Sequence, residues 1–168
     1  MGGNSTHLVF LCERGKDMGN GFFTVCGIVE IEGKILLVRH TYGAAKDRIL
    51  VPGGYVEENE LPNMAIEREI LEETGVVAKA KSLFSIQFKT NQWCPIFICE
   101  YVSGTPKSDN YENSEILLLD INEAINREDI TNMSRELLKM YKARTGNALT
   151  KSNYLARNTT EQNYALFG

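Results

Sequence analysis

Long apolar runs are missing from this chain of 168 residues. No stretch approaches the ~18 consecutive apolar residues of a bilayer-spanning helix, so a helical membrane protein is not expected. The opening MGGNSTHLVF lacks the basic-then-apolar build of a secretory signal, which makes the cytoplasm the expected location. An excess of basic charge is missing too. Lys and Arg number 18 against 22 Asp and Glu, for a formal charge of -4. That balance argues against a duplex nucleic-acid binder or a membrane-surface protein, and it leaves room for a small anionic ligand bridged to the protein by a metal.

The four cysteines, Cys12, Cys26, Cys94 and Cys99, make no CxxC pair and have no histidine cluster beside them. Neither a zinc site nor a disulfide scaffold is indicated, and free thiols in the core are expected. Repeats and low-complexity tracts are also lacking. What is present is 43% hydrophobic content, enough for one core, so a single domain is expected over 1–145 with a tail at 146–168. The tail is rich in Asn and Thr, but Tyr154, Leu155, Tyr164, Leu166 and Phe167 give it the means to dock on its own domain or on a partner subunit.

The pattern predicts a strand over 7–13, which could pair across a homodimer interface or form an edge in its own domain. Two β-rich runs at 22–31 and 34–40 flank Glu32-Gly33, a hairpin signal. A helix is predicted over 62–74, with Pro62 in its first turn and Gly75 past its end. Strands at 76–89, 94–102 and 115–120 follow, then helices at 122–127 and 131–144, the last with Leu137, Leu138 and Tyr141 at core spacing. The fold class expected is α+β, with helices against a mixed sheet.

Within the first helix Glu69, Glu72 and Glu73 stand at i, i+3 and i+4, so the three carboxylates stack on one face. On a helical wheel they border the stripe of Ile66 and Ile70 rather than opposing it, and only Glu72 leans toward solvent. Desolvating several carboxylates without a partner costs several kcal/mol or forces protonation, so a hard cation with oxygen ligands, Mg²⁺ or Mn²⁺, is the simplest companion. Pro52-Gly53-Gly54 just before the helix lets backbone come close to a ligand. Arg68 can pair with Glu72 or reach Glu60.

Residues 54–76, GYVEENELPNMAIEREILEETGV, match G-x5-E-x7-R-E-U-x-E-E-x-G-U, with U aliphatic, at Gly54, Glu60, Arg68, Glu69, Ile70, Glu72, Glu73, Gly75 and Val76. In this the chain resembles the Nudix hydrolases, the MutT-like superfamily. The resemblance implies an α/β/α sandwich around a central mixed sheet, and hydrolysis of a nucleoside diphosphate linked to another moiety. The substrate class is then a small nucleotide, either a nucleotide sugar such as ADP-ribose or a nucleoside triphosphate. A Nudix-fold sensor that binds nucleotides without cleaving them is the alternative, though such a module can lose box acids and this chain keeps them all. The resemblance further implies that Glu69, Glu72 and Glu73 hold Mg²⁺, with the Gly53 carbonyl as a further ligand, while Arg68 and Glu60 orient the carboxylates. The general base is expected at Glu69, or at Glu112 or Glu115 in the later acidic segment. Substrate contacts are expected from Arg39, Lys46 and Arg48 on phosphate, from Gly54 by close approach, and from Trp93, Phe88, Tyr42 or Tyr111 by stacking on a base. Three departures from the usual pattern are Asn59 before the box glutamate, Leu61 in place of a Ser/Thr N-cap, and Ile49 in place of an aromatic residue.

Overall fold

A computed structural model of the chain describes residues 22–108, 110–145, 148–151, 153, 159–162, 164, 165 and 167. The predicted strand at 7–13, Cys12, and the tail residues Tyr154, Leu155 and Leu166 lie outside the described residues. Eight strands are described: β1 (Phe22–Ile31), β2 (Lys34–His40), β3 (Ile49–Leu50), β4 (Gly53–Tyr55), β5 (Val77–Lys89), β6 (Gln92–Ser103), β7 (Asn113–Leu119) and β8 (Leu149–Thr150). The helices are α1 (Pro62–Thr74), α2 (Ile121–Asn126) and α3 (Asn132–Ala143). Sheet order is β3-β2-β1-β6-β5-β8, with β4 added to β1 and β7 to β2. Among the described strand pairs only β1/β6 is parallel, so the sheet is mixed, as expected for an α+β chain.

Alternation along β1 divides the core in two. Val25, Val29 and Ile31 face one way, joining Leu36, Phe97 and the α1 residues Ala65, Ile66 and Ile70. Ile28 faces the other way, with Leu37, Ile96 and the α3 residues Leu137, Leu138 and Tyr141. Each sheet face is thus covered by a helix, and the layers form an α/β/α sandwich. The Glu32-Gly33 hairpin has positive φ at both residues (51° and 77°), as a two-residue turn of this kind requires.

Local chemistry explains the helix ends. Asp120 caps α2 by accepting from the Asn122 and Glu123 N–H groups, and Thr131 caps α3 by accepting from Ser134 N–H. For α1 the N-cap Leu61 supplies no side-chain acceptor, as its apolar nature predicts, and Pro62 removes one N–H from the deficit. At the far end Gly75, at φ 68°, returns its N–H to the Leu71 carbonyl. The run 115–120 was expected to be a buried strand. It begins two residues earlier, at Asn113, and because β7 pairs β2 alone, only Leu117 of its aliphatic residues is fully buried.

After α3, β8 extends the β5 edge through Ser82 and Leu83, and the Phe167 ring lies 5.4 Å from that of Phe97. Among the described residues no helix is long and apolar enough to cross a membrane. Ile66 and Ile70, both fully buried, pack α1 on Gly27 of β1. Ile70→Ala is expected to lower unfolding free energy by about 2–5 kcal/mol, read from the urea midpoint.

Candidate active site

The segment 52–55 sets the floor of the site. Gly53 and Gly54 pair with Cys26 and Val25 on β1, and a Cβ on Gly53 would fall 2.1 Å from the Val25 carbonyl oxygen. A Cβ on Gly54 would fall 2.4 Å from the Glu69 carboxyl group. Both positions exclude side chains by close approach, the first to backbone and the second to an acid of the box.

Helix α1 places its acids unequally. Glu73 is 2% exposed and Glu69 9%, whereas the Glu72 side chain is 60% exposed. Glu73 Oε2 accepts from Gly53 N–H at 3.0 Å, and its Oε1 lies 3.6 Å from His40 Nε2. Arg68 holds the rest. Its Nε and Nη2 fork onto the two oxygens of Glu60 at 2.9 and 2.8 Å, Nη1 donates to Glu69 at 2.8 Å and Glu72 at 3.1 Å, and Nη2 also donates to the Tyr55 carbonyl at 2.9 Å.

Electrostatics follow from this geometry. Burial opposes ionisation of Glu60, but the Arg68 fork and the Glu57 N–H outweigh it and hold that carboxyl below its usual range. Glu69 goes the other way. Desolvation, with Glu73 and Glu72 adding repulsion, overcomes its single Arg68 contact and pushes it up to about 7. Tyr42, stacked on His40 at 5.5 Å between ring centres, is pushed up to about 12 by partial burial and by the charges of Glu112, Glu73 and Glu69. The charge of Glu112 acts on Tyr42, and its carbonyl is fixed by the Thr41 N–H at 3.0 Å.

The other expected residues lie elsewhere. Glu115 accepts from Arg39 Nε at 2.8 Å, and Arg39 Nη1 also holds Asp129 and the Asp47 carbonyl. Arg48 donates to the carbonyls of Glu128, Asp129 and Ile130. Both guanidiniums, expected on substrate phosphate, are thus engaged in joining the loop after β2 to the segment before α3. Trp93 is 54% exposed and meets Phe23 and Phe88 edge to face, at 6.0 and 5.2 Å. The residues missed from sequence are His40 and the Tyr55 carbonyl. The signal for His40 was its parity with Leu36 and Val38 on β2, which aims it at α1.

The donors suit a hard divalent cation in kind: all are carboxylate or carbonyl oxygens, two of the carboxylates are buried, and the Gly54 cradle keeps side-chain bulk from Glu69. In this arrangement no three acids, histidines or cysteines among the described residues converge on one point. The Arg68 guanidinium stands between Glu69 and Glu72 as the neutralising cation.

Comparison with known proteins agrees with this geometry. The NUDIX domain family profile matches residues 21–141. The chain belongs to the Nudix family. Its 62-residue match to an ADP-ribose pyrophosphatase of Methanocaldococcus jannaschii is 44% identical and spans 37% of each protein. Nudix folds of known structure superpose well. A MutT Nudix hydrolase of Burkholderia pseudomallei gives a TM-score of 0.63 at 19% identity, covering 71% of this chain and 96% of that one. An ADP-ribose pyrophosphatase of Streptococcus suis gives 0.59 at 16% identity, covering 74% and 94%.

The raised Glu69 carboxyl has a consequence for the metal-free protein. Between pH 4.5 and about 7 the folded chain keeps a proton that the unfolded chain has released, so stability falls as pH rises through that window. The expected loss is on the order of 2 kcal/mol. Thermal unfolding in EDTA against pH checks it, and Glu69→Gln should flatten that stretch of the profile.

Proposed function

We propose that this Nudix chain is a Mg²⁺-dependent pyrophosphohydrolase that cleaves a nucleoside diphosphate linked to another moiety, with a nucleotide sugar of the ADP-ribose type as the leading substrate. The observation that carries the reading is the buried pair Glu69 and Glu73, set against a Gly-Gly turn that leaves room for nothing larger. The name of the M. jannaschii relative supports the choice of nucleotide sugar.

Glu69, Glu72 and Glu73 would hold the cation, with the Gly53 carbonyl as a further ligand. Mg²⁺, when bound there, supplies charge neutralisation to the phosphoryl oxygens and acidifies a ligated water. Arg68 gives up nothing essential in that state, since its fork on Glu60 and its bond to the Tyr55 carbonyl keep the guanidinium in place. It acts as a positioning residue for the box acids. Gly53 N–H fixes one Glu73 oxygen, and the other, on the His40 side, would meet the cation.

Glu112 is the base in this reading. Its carbonyl is held by Thr41, next to Tyr42, and its carboxylate would take the proton of the attacking water, whereas Glu115 is paired with Arg39. The exposed Trp93 ring, braced by Phe23 and Phe88, offers a face for a base to stack on. Phe23 lies two residues along β1 from Val25, the partner of Gly54, so roughly 7 Å separates the two positions along the strand.

Hydrolysis of a panel containing ADP-ribose, other nucleotide sugars and nucleoside triphosphates, with Mg²⁺, tests the reading by release of nucleoside monophosphate. Tight nucleotide binding without turnover would make the chain a sensor and end the enzyme assignment. Glu72→Gln, Glu73→Gln and Gly54→Ala should each lower kcat/KM by about 10–100-fold or more while the folded signal persists. Glu112→Gln should lower kcat far more than Glu115→Gln. Equal effects would remove Glu112 from the role.

A further inference from the structure

Two thiols meet on the far side of the metal cradle. Cys26, half-buried on β1, and Cys94, buried on β6, point to the same sheet face, and their sulfurs are 3.6 Å apart. Alternation on the parallel β1/β6 pair puts them there. Cys26 is in register with Ile96, and Cys94 is two residues before it on the same side. The Thr24 hydroxyl, in the neighbouring strand, accepts from Gln92 Nε2 at 2.9 Å. The hydrogen bond with Cys26 comes first among the influences on Cys94 and, with the nearby Thr24 hydroxyl, outweighs burial, drawing its thiol down to about 7. Cys99, by contrast, is buried without a sulfur partner among the described residues and is pushed up to about 12.

Cys26 is also bound to the catalytic turn. Its backbone is in register with Gly53, and its sulfur lies 3.1 Å from the point a Gly53 Cβ would occupy. Gly53 N–H in turn holds Glu73. Any displacement of Cys26 toward β6 is therefore felt two contacts away, at a box carboxylate.

We propose that Cys26 and Cys94 are a peroxide-sensitive thiol pair whose disulfide loosens the Gly53 hold on Glu73 and lowers metal-dependent turnover. The chemistry balances with hydrogen peroxide as the oxidant. The Cys94 thiolate attacks one peroxide oxygen, the O–O bond breaks, and a sulfenic acid and hydroxide result. The Cys26 sulfur then attacks the sulfenic sulfur. The S–O bond breaks, its oxygen leaves as water with the Cys26 proton, and two thiols and one peroxide have become one disulfide and two waters. Bond formation needs about 1.5 Å of approach between the sulfurs, a shift that β1 transmits to Gly53.

The effect on turnover rests on the hydrolase reading above, and the test separates the two. The full reduced chain is treated with hydrogen peroxide, residual thiols are alkylated, and peptides are mapped by mass spectrometry. A cross-linked Cys26–Cys94 peptide is expected. ADP-ribose hydrolysis should fall about tenfold or more and recover with dithiothreitol, and the rise in Tm on adding Mg²⁺ should shrink in the oxidised form. Cys94→Ser should keep basal hydrolysis and its Mg²⁺ response in peroxide. A disulfide to Cys12 or Cys99 instead, no disulfide at all, or a cross-linked chain with unchanged Mg²⁺ response would overturn the proposal. If the reduced chain hydrolyses nothing, the enzyme reading fails by itself, and the peptide map and Mg²⁺-dependent Tm still decide the thiol pair.

Discussion

Arg68 is the constraint on which the site depends. A helix carrying acids at i, i+3 and i+4, with two of them turned inward, would repel itself apart, and the guanidinium offsets this by reaching four groups at once. Its fork geometry decides the matter. A lysine could neutralise one neighbour, but it could not clamp Glu60 bidentately, touch Glu69 and Glu72, and still bond the Tyr55 carbonyl. Through Tyr55 the same side chain ties α1 to β4, and together with the Gly53–Glu73 bond it sets the spacing between the acids and the Gly-Gly turn.

That arrangement gives Glu69 and Glu73 different partners, although both are buried. Glu73 accepts from a backbone N–H and lies beside His40, while Glu69 has one Nη1 contact, shared with Glu72. Glu69 is raised because desolvation exceeds what a shared hydrogen bond returns. A divalent cation would reverse that balance by giving the same oxygen a stronger partner, which is why the acid that is least comfortable without metal is the one best placed to report its arrival.

Much of this was legible in the sequence. The period of Ala65, Ile66 and Ile70 placed α1 on the core, and the wheel put Glu72 outside and its two neighbours at the margin, as their burial bears out. The Glu32-Gly33 turn and the mixed sheet followed from local chemistry. Arg39 and Arg48 were harder to read, because nothing local shows that Asp129 and the carbonyls before α3 arrive from more than 80 residues away to engage them. His40 escaped for the same reason: its partner is on α1, and strand parity alone gives a direction but not a neighbour.

Glu112 and Glu115 show where such reading ends. In sequence they are two acids of one loop, three residues apart and equally eligible. The irregular register between Arg39 and His40 on β2 decides between them, because it sets Glu115 opposite Arg39 and Asn113 opposite His40, leaving Glu112 beyond the strand beside Thr41. A β-bulge re-aims side chains without changing composition. One acid is thereby paired within the fold, and the other is left beyond the strand, next to Tyr42. The same central strand that positions Gly53 and Gly54 also carries Cys26, so the Gly-Gly turn and the thiol pair share β1 as a common support. The backbone between Val25 and Gly27 is held throughout: Gly27 donates to the Pro52 carbonyl while Val25 and Cys26 pair with the glycines that follow.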